Sequence, residues 1–157
     1  GRRAPACVAA HGAATESNPF IFPSAPAEEK RREAEILGAD LVIAGHSGLP
    51  FSQVLGGRHY WHNAGALGLP ANDGTPDTWY SLLTPIGDSL DITHHRLAYD
   101  HEKAARRLNE ARPGDPYARA LETGLWPSLD ILPQAERTAT GHALVPPPLA
   151  IARAPRP

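Results

Sequence analysis

Apolar and polar positions follow two rhythms along the chain, with a change near residue 52. "ACVAAHG", residues 6–12, is a short apolar run that ends in His11-Gly12 and reads as a buried strand entering a loop. Prolines punctuate the following "AATESNPFIFPSAP", which predicts a loop. In "AEEKRREAEILGAD" the charges come first, Ala34, Ile36 and Leu37 form an apolar side, and Gly38 ends the pattern, predicting a helix. "DLVIAGH", residues 40–46, is a second buried strand, and it too runs into a glycine and a histidine. Strand, loop, helix, strand is a βαβ-like order, which favours parallel pairing.

Beyond residue 52 the pattern becomes one of hairpins. "SQVLGGRHYWHNAG" predicts two short strands joined at Gly56-Gly57, a dipeptide suited to a tight turn. After the turn-rich "LGLPANDGTP", the segment "TWYSLLTPIGDSLDITHHRLAYD" predicts two more strands around Gly87-Asp88. Leu90, Ile92 and Leu97 roughly alternate with polar residues there, as in antiparallel strands with one exposed face. "DHEKAARRLNEARP" predicts a helix with Asp100 as N-cap and Pro113 as its end. "DPYARALETGLWP" predicts a shorter one between Pro116 and Gly124. Past Asp130 the periodicity fades, and residues 131–157 read as a Pro-rich extended or disordered tail behind a domain of residues 1–130. No internal repeat is visible.

Composition narrows the class without naming a chemistry. At 157 residues the chain is about one domain long. A hydrophobic fraction of 41% and a charged fraction of 20% are ordinary for a globular protein. The net charge of -2 gives no sign of specific nucleic-acid or membrane binding. No apolar stretch approaches the ~20 residues of a membrane span. A single cysteine, Cys7, allows no internal disulfide, so a reducing, cytoplasmic setting is expected. The chain has no methionine and starts Gly-Arg-Arg, which reads as a processing or gene boundary.

"AGHSGLPF" at residues 44–51 admits three readings: a serine nucleophile elbow, a metal-binding strand end, or a turn. The elbow requires Gly-x-Ser-x-Gly, because the strained turn tolerates no side chain on either flank. Here the second glycine comes one position early and Pro50 stands where a helix should begin, so Ser47 reads as a turn residue. His11 and His46 each close a predicted strand beside a glycine. If those strands are parallel neighbours, both imidazoles emerge at one sheet edge, where such sheets place their chemistry. Two histidines do not complete a catalytic metal site, which usually has three protein ligands. His59 and His62 are expected on one side of their strand. Asn63 is expected to pin the next turn, and His94-His95 to lie on a solvated edge. Trp61, Trp79 and Trp126 are expected in the core, and Lys30, Arg31 and Arg32 on a solvated helix face. Asn72-Asp73-Gly74 is expected to be turn chemistry.

From about Ala6 to Pro127 the chain resembles the C-terminal half of calcineurin-like metallophosphoesterases, in the bacterial small-phosphoesterase branch. "AAHG" matches that family's strand ending in His-Gly, "GHSGLPF" its Gly-His-Thr-His turn, and "WHNAGALGLP" its Asn-Pro-Gly-Ser-like turn. The Trp-Tyr-Ser-Leu-Leu strand and the terminal helices follow in the same order. The resemblance implies an α/β mixed-sheet sandwich flanked by helices, lacking its N-terminal half. It implies a dinuclear centre of divalent ions, Mn, Fe, Zn or Ni, whose bridging hydroxide attacks a phosphomonoester or phosphodiester. His11 and His46 match metal-binding histidines, and His62 and Asn63 fall at the expected substrate side. No catalytic residue can be carried over. The family's second histidine of Gly-His-x-His falls at Gly48, and its Asp-x-His, Gly-Asp-x-x-Asp and Gly-Asn-His motifs have no counterpart here. Two expectations follow: a fragment of an enzyme of roughly 240 or more residues, poorly stable in isolation, or a degenerate scaffold that binds a partner. The missing methionine favours the first.

Overall fold

The computed structural model describes residues 2–14, 19–152 and 154–155. Parts of the expected first loop (residues 15–18) and of the tail's end lie outside the described residues. Strands β1 (Arg2–Arg3) and β9 (Ala154–Pro155) pair antiparallel and join the two ends of the chain.

The βαβ unit forms as its pattern predicts. Strand β2 (Cys7–Ala9), helix α1 (Ala27–Ile36) and strand β3 (Leu41–Ala44) follow in order, and β2 and β3 run parallel with Ala9 opposite Ile43. Gly38, at φ 62°, ends α1 where the chain must turn. Strands β4 (Pro50–Val54) and β5 (Tyr60–Ala64) form the expected hairpin, and β5 lies parallel to β3. The sheet order is therefore β2-β3-β5-β4. Strand β2 is less covered than its composition suggests: it is an edge strand among the described residues, and Cys7 and Ala9 are exposed.

A second sheet holds β6 (Thr78–Ile86), β7 (Ser89–Leu97) and β8 (Leu149–Ala152), all antiparallel in the order β6-β7-β8. Leu41 of β3, Ile92 of β7 and Ile151 of β8 form the buried layer between the sheets, flanked by Ile43, Tyr60, Leu83 and Leu90. The alternate positions of the first sheet, Val42, Ala44, Trp61 and Phe51, pack against Ala34 of α1 and Ile21. With both faces covered, β3 needs an unbroken apolar run. The result is the expected mixed-sheet sandwich flanked by helices.

Helix α2 (His101–Ala111) is capped by the expected Asp100, which accepts from the Lys103 amide at 3.0 Å, and α3 (Pro116–Thr123) by Asp115, which accepts from the Tyr117 amide at 2.9 Å. The last segment differs from an extended tail. Residues Gln134–Thr138 form helix α4, Leu132 is buried with Phe22, Leu49, Ala71 and Trp79, and β8 completes the second sheet. Its prolines stand between these short elements and hide them from a periodicity reading. Lys30 also departs from a solvated face. It is fully buried, and its ammonium donates to Pro23 O, Ala25 O and Gln53 Oε1 at 2.7–2.9 Å. Burial lowers its pKa to about 8 against the opposing pull of Glu29 and Glu136. Among the described residues no helix is long and apolar enough to cross a membrane.

Candidate functional site

The parallel pairing of β2 and β3 brings His11 and His46 together. Ala10 N donates to Ile43 O at 2.9 Å and Gly45 N to His11 O at 3.1 Å, so the ladder continues past the strand ends and fixes both loops. The two imidazoles lie with ring centroids 4.6 Å apart. Phe20 stacks on His46 at 4.3 Å, nearly parallel. Glu33 of α1 accepts from the Ala14 amide at 2.7 Å and tethers the loop after His11 to the helix. His46 adopts φ 62°, a left-handed conformation that few non-glycine residues take and that costs about 1–3 kcal/mol. His11 is exposed and His46 half-buried, and neither ring hydrogen-bonds to another group among the described residues.

Ser47 and Asn63 serve this loop. Ser47 is fully buried, which removes it as a nucleophile. Asn63, also fully buried, donates to Gly45 O at 2.7 Å and to Ser47 Oγ at 2.9 Å, while its oxygen accepts from Gly65 N at 3.0 Å. Both amide hydrogens are thereby used, and Asn63 pins the turn instead of facing a ligand.

Among the described residues His62 makes no ring contact or hydrogen bond with His11 or His46. It is fully buried in the layer between the sheets, shares a hydrogen bond between Nδ1 and Ser52 Oγ at 2.8 Å, and lies 4.7 Å from the His94 ring. Burial and the neighbouring His94 lower its pKa to about 4. His94 is not on a solvated edge: β7 is the central strand of its sheet, and His94 Nε2 meets Asn63 O at 3.0 Å. Its pKa is lowered too, first by burial, against hydrogen bonds to the backbone that raise it. His59 does not share His62's side. Three residues apart on a period of two, they point oppositely, and His59 Nδ1 meets Ala39 O at 2.9 Å. Asp40 clamps the strand starts, accepting from Ala6 N at 2.8 Å and pairing with Arg58 at 2.7 Å.

Two neighbours of the site carry no sequence signal. Phe20 sits in a loop whose ring contact follows from the tertiary fold alone. Trp126 lies over Gly48, where an added Cβ would come 3.1 Å from its ring. A side chain at position 48 would press against the indole, which would have to give by a few tenths of an ångström. Among the described residues no group of three or more His, Cys, Asp or Glu side chains gathers where it could hold a metal ion. His11 and His46 fit a divalent metal as two nitrogen donors, and they do not by themselves close a site.

No protein-family model matches the chain, and no curated protein matches it in sequence. Solved structures do match in shape. The hypothetical protein PH1004 from Pyrococcus horikoshii OT3 superposes with a TM-score of 0.63 at 12% identity, over 75% of this chain and 46% of its own. A metallophosphoesterase from Sphaerobacter thermophilus gives a TM-score of 0.63 at 19% identity, over 78% of this chain and 57% of its own. The chain thus has a metallophosphoesterase-like fold, and it spans about half the length of these two structures.

Proposed function

We propose that this chain is the part of a metal-dependent phosphoesterase that brings His11 and His46 to the metal centre, for hydrolysis of a phosphomonoester or phosphodiester. The observation that carries the reading is the pair itself: two imidazoles at adjacent parallel strand ends, 4.6 Å apart, one held in a strained backbone and neither committed to a hydrogen bond among the described residues. A divalent ion there (Mn, Fe, Zn or Ni) would supply Lewis acidity to the phosphoryl group and to the attacking water. The chain's own residues hold the donors still. Phe20 fixes the plane of His46 and shields one of its faces, and Asn63 ties the turn at Gly45 and Ser47 to the one at Gly65. The remaining ligands would come from elsewhere in the full-length protein.

The test is metal binding and phosphodiester hydrolysis by the full-length protein. Calorimetric titration with Mn2+ should show binding, and bis-p-nitrophenyl phosphate should be cleaved only with metal present. His11→Ala and His46→Ala should each lower both by tenfold or more. Absence of divalent-metal binding in the intact protein sinks the catalytic reading. A second reading, a catalytically degenerate scaffold that acts as a binding module, is favoured by one feature: Trp126 covers Gly48 in place of a further ligand. It predicts no metal binding and no hydrolysis in the same experiment.

A further inference from the structure

A cavity of about 430 Å³ opens between Leu49-Pro50, the Pro23-Ser24 turn and the C-terminal segment that carries α4. Pro23, Leu49, Pro50, Ala71, Ala135 and Leu144 make its walls chiefly apolar. Three polar side chains at its margin are already committed. Glu136 accepts from Ser24 N at 2.8 Å and from Ser24 Oγ at 2.7 Å. Asp73 pairs with Arg96 and accepts from Thr75 and Leu144 N. Asn72 bridges Thr140 Oγ1 and Trp126 N. An occupant is therefore selected by shape and apolar burial, with the exposed His142 ring as the polar group at the rim. The size suits this: small-molecule sites run about 300–1,000 Å³, and an apolar cavity of about 150 Å³ already holds benzene.

The cavity adjoins the histidine pair. Leu49 lies three residues after His46, so their Cα atoms are within roughly 11 Å. Phe20, stacked on His46, also stacks on Phe22 at 5.9 Å, and Phe22 packs with Leu49 and Ala71 of the cavity wall. One short loop thus carries a histidine at one end and the cavity wall at the other. The Glu136 carboxylate disfavours entry of a phosphate into the cavity itself.

We propose that the cavity holds the apolar organic group of a phosphoester, an aryl or alkyl alcohol moiety, with the phosphate outside it at His11 and His46. The phosphate half rests on the phosphoesterase reading; the cavity half does not. The full-length protein is titrated by calorimetry with 1-naphthol, and its metal-dependent hydrolysis of 1-naphthyl phosphate is compared with that of glycerol phosphate. Naphthol should bind, should bind at least tenfold more weakly to Ala135→Trp, which fills the cavity from an exposed helix position, and should bind equally to His46→Ala. Naphthyl phosphate should be hydrolysed at least tenfold more efficiently in kcat/KM than glycerol phosphate. No naphthol binding, or equal binding to an Ala135→Trp variant with unchanged melting temperature, overturns the cavity site. Preference for glycerol phosphate overturns the substrate class. Naphthol binding without metal binding or hydrolysis keeps the cavity as an apolar-ligand site and removes the phosphoesterase half.

Discussion

Asp73 shows how much one carboxylate in a turn can organise. Read as turn chemistry, it does make the turn, accepting from Thr75 N at 3.1 Å and from its hydroxyl at 2.8 Å. It also reaches Arg96 on β7 at 2.5 Å and the Leu144 amide at 3.1 Å, so two distant segments meet its own turn there. Burial alone would raise its pKa; the hydrogen bonds from Arg96, Leu144 and Thr75 outweigh burial and hold it below the ordinary carboxylate value. Asp73→Ala should therefore cost about 3 kcal/mol in urea unfolding, the lower end for a broken buried pair because Arg96 remains partly exposed. Gly48 makes the opposite point. Its φ of 71° and the Trp126 ring 3.1 Å from an added Cβ mean that Gly48→His does not restore a ligand. That variant should lose about 1–2 kcal/mol for the left-handed backbone, and more if Trp126 must move. It should leave Mn2+ affinity no higher in a calorimetric titration; a tenfold gain in affinity would show that position 48 still faces the site.

Between residue and molecule, legibility followed the strength of the periodic signal. The βαβ unit, both hairpins and helices α2 and α3 were readable because each has its own apolar rhythm, cap or turn glycine. The histidine pair was readable for the same reason, since strand ends and parallel pairing suffice to bring His11 beside His46. His94 was misplaced, although its parity with Leu90 and Ile92, which face the core between the sheets, marks the inner side. Lys30 was misplaced because its burial depends on carbonyls of the loop just before α1 and on Gln53 of β4, which no helical pattern announces. Strand β8 is four residues among prolines, below any periodicity threshold, and yet Ile151 is 1% exposed between the sheets. Ile151→Ala should cost about 2–5 kcal/mol in chemical denaturation. Val145→Ala, at a position 88% exposed, should stay within about 0.5 kcal/mol. Equal effects would mean that β8 does not close the second sheet in solution.

At the scale of the molecule, two sheets are held face to face by an apolar layer that contains a pair of imidazoles. His62 comes from the first sheet and His94 from the second, and neither can take a proton without placing a charge in that layer. His62 Nε2 is buried with no hydrogen-bond partner among the described residues, so nothing there compensates an imidazolium. With its folded pKa lowered from 6.5 to about 4, the unfolded chain binds more protons than the native one throughout that window. Stability is therefore complete above about pH 6.5 and falls as the pH drops toward 4, by on the order of 3 kcal/mol from His62 alone. His94 adds loss of the same sign. Urea unfolding at pH 7.5, 5.5 and 4.5 measures the slope, and His62→Gln, which keeps a polar group toward Ser52 without a titrating one, isolates the contribution. The variant should be less stable at pH 7.5 and lose less than the native protein between pH 6.5 and 4.5. Parallel pH profiles for the two would show that His62 is already free to protonate, and that the layer between the sheets admits water.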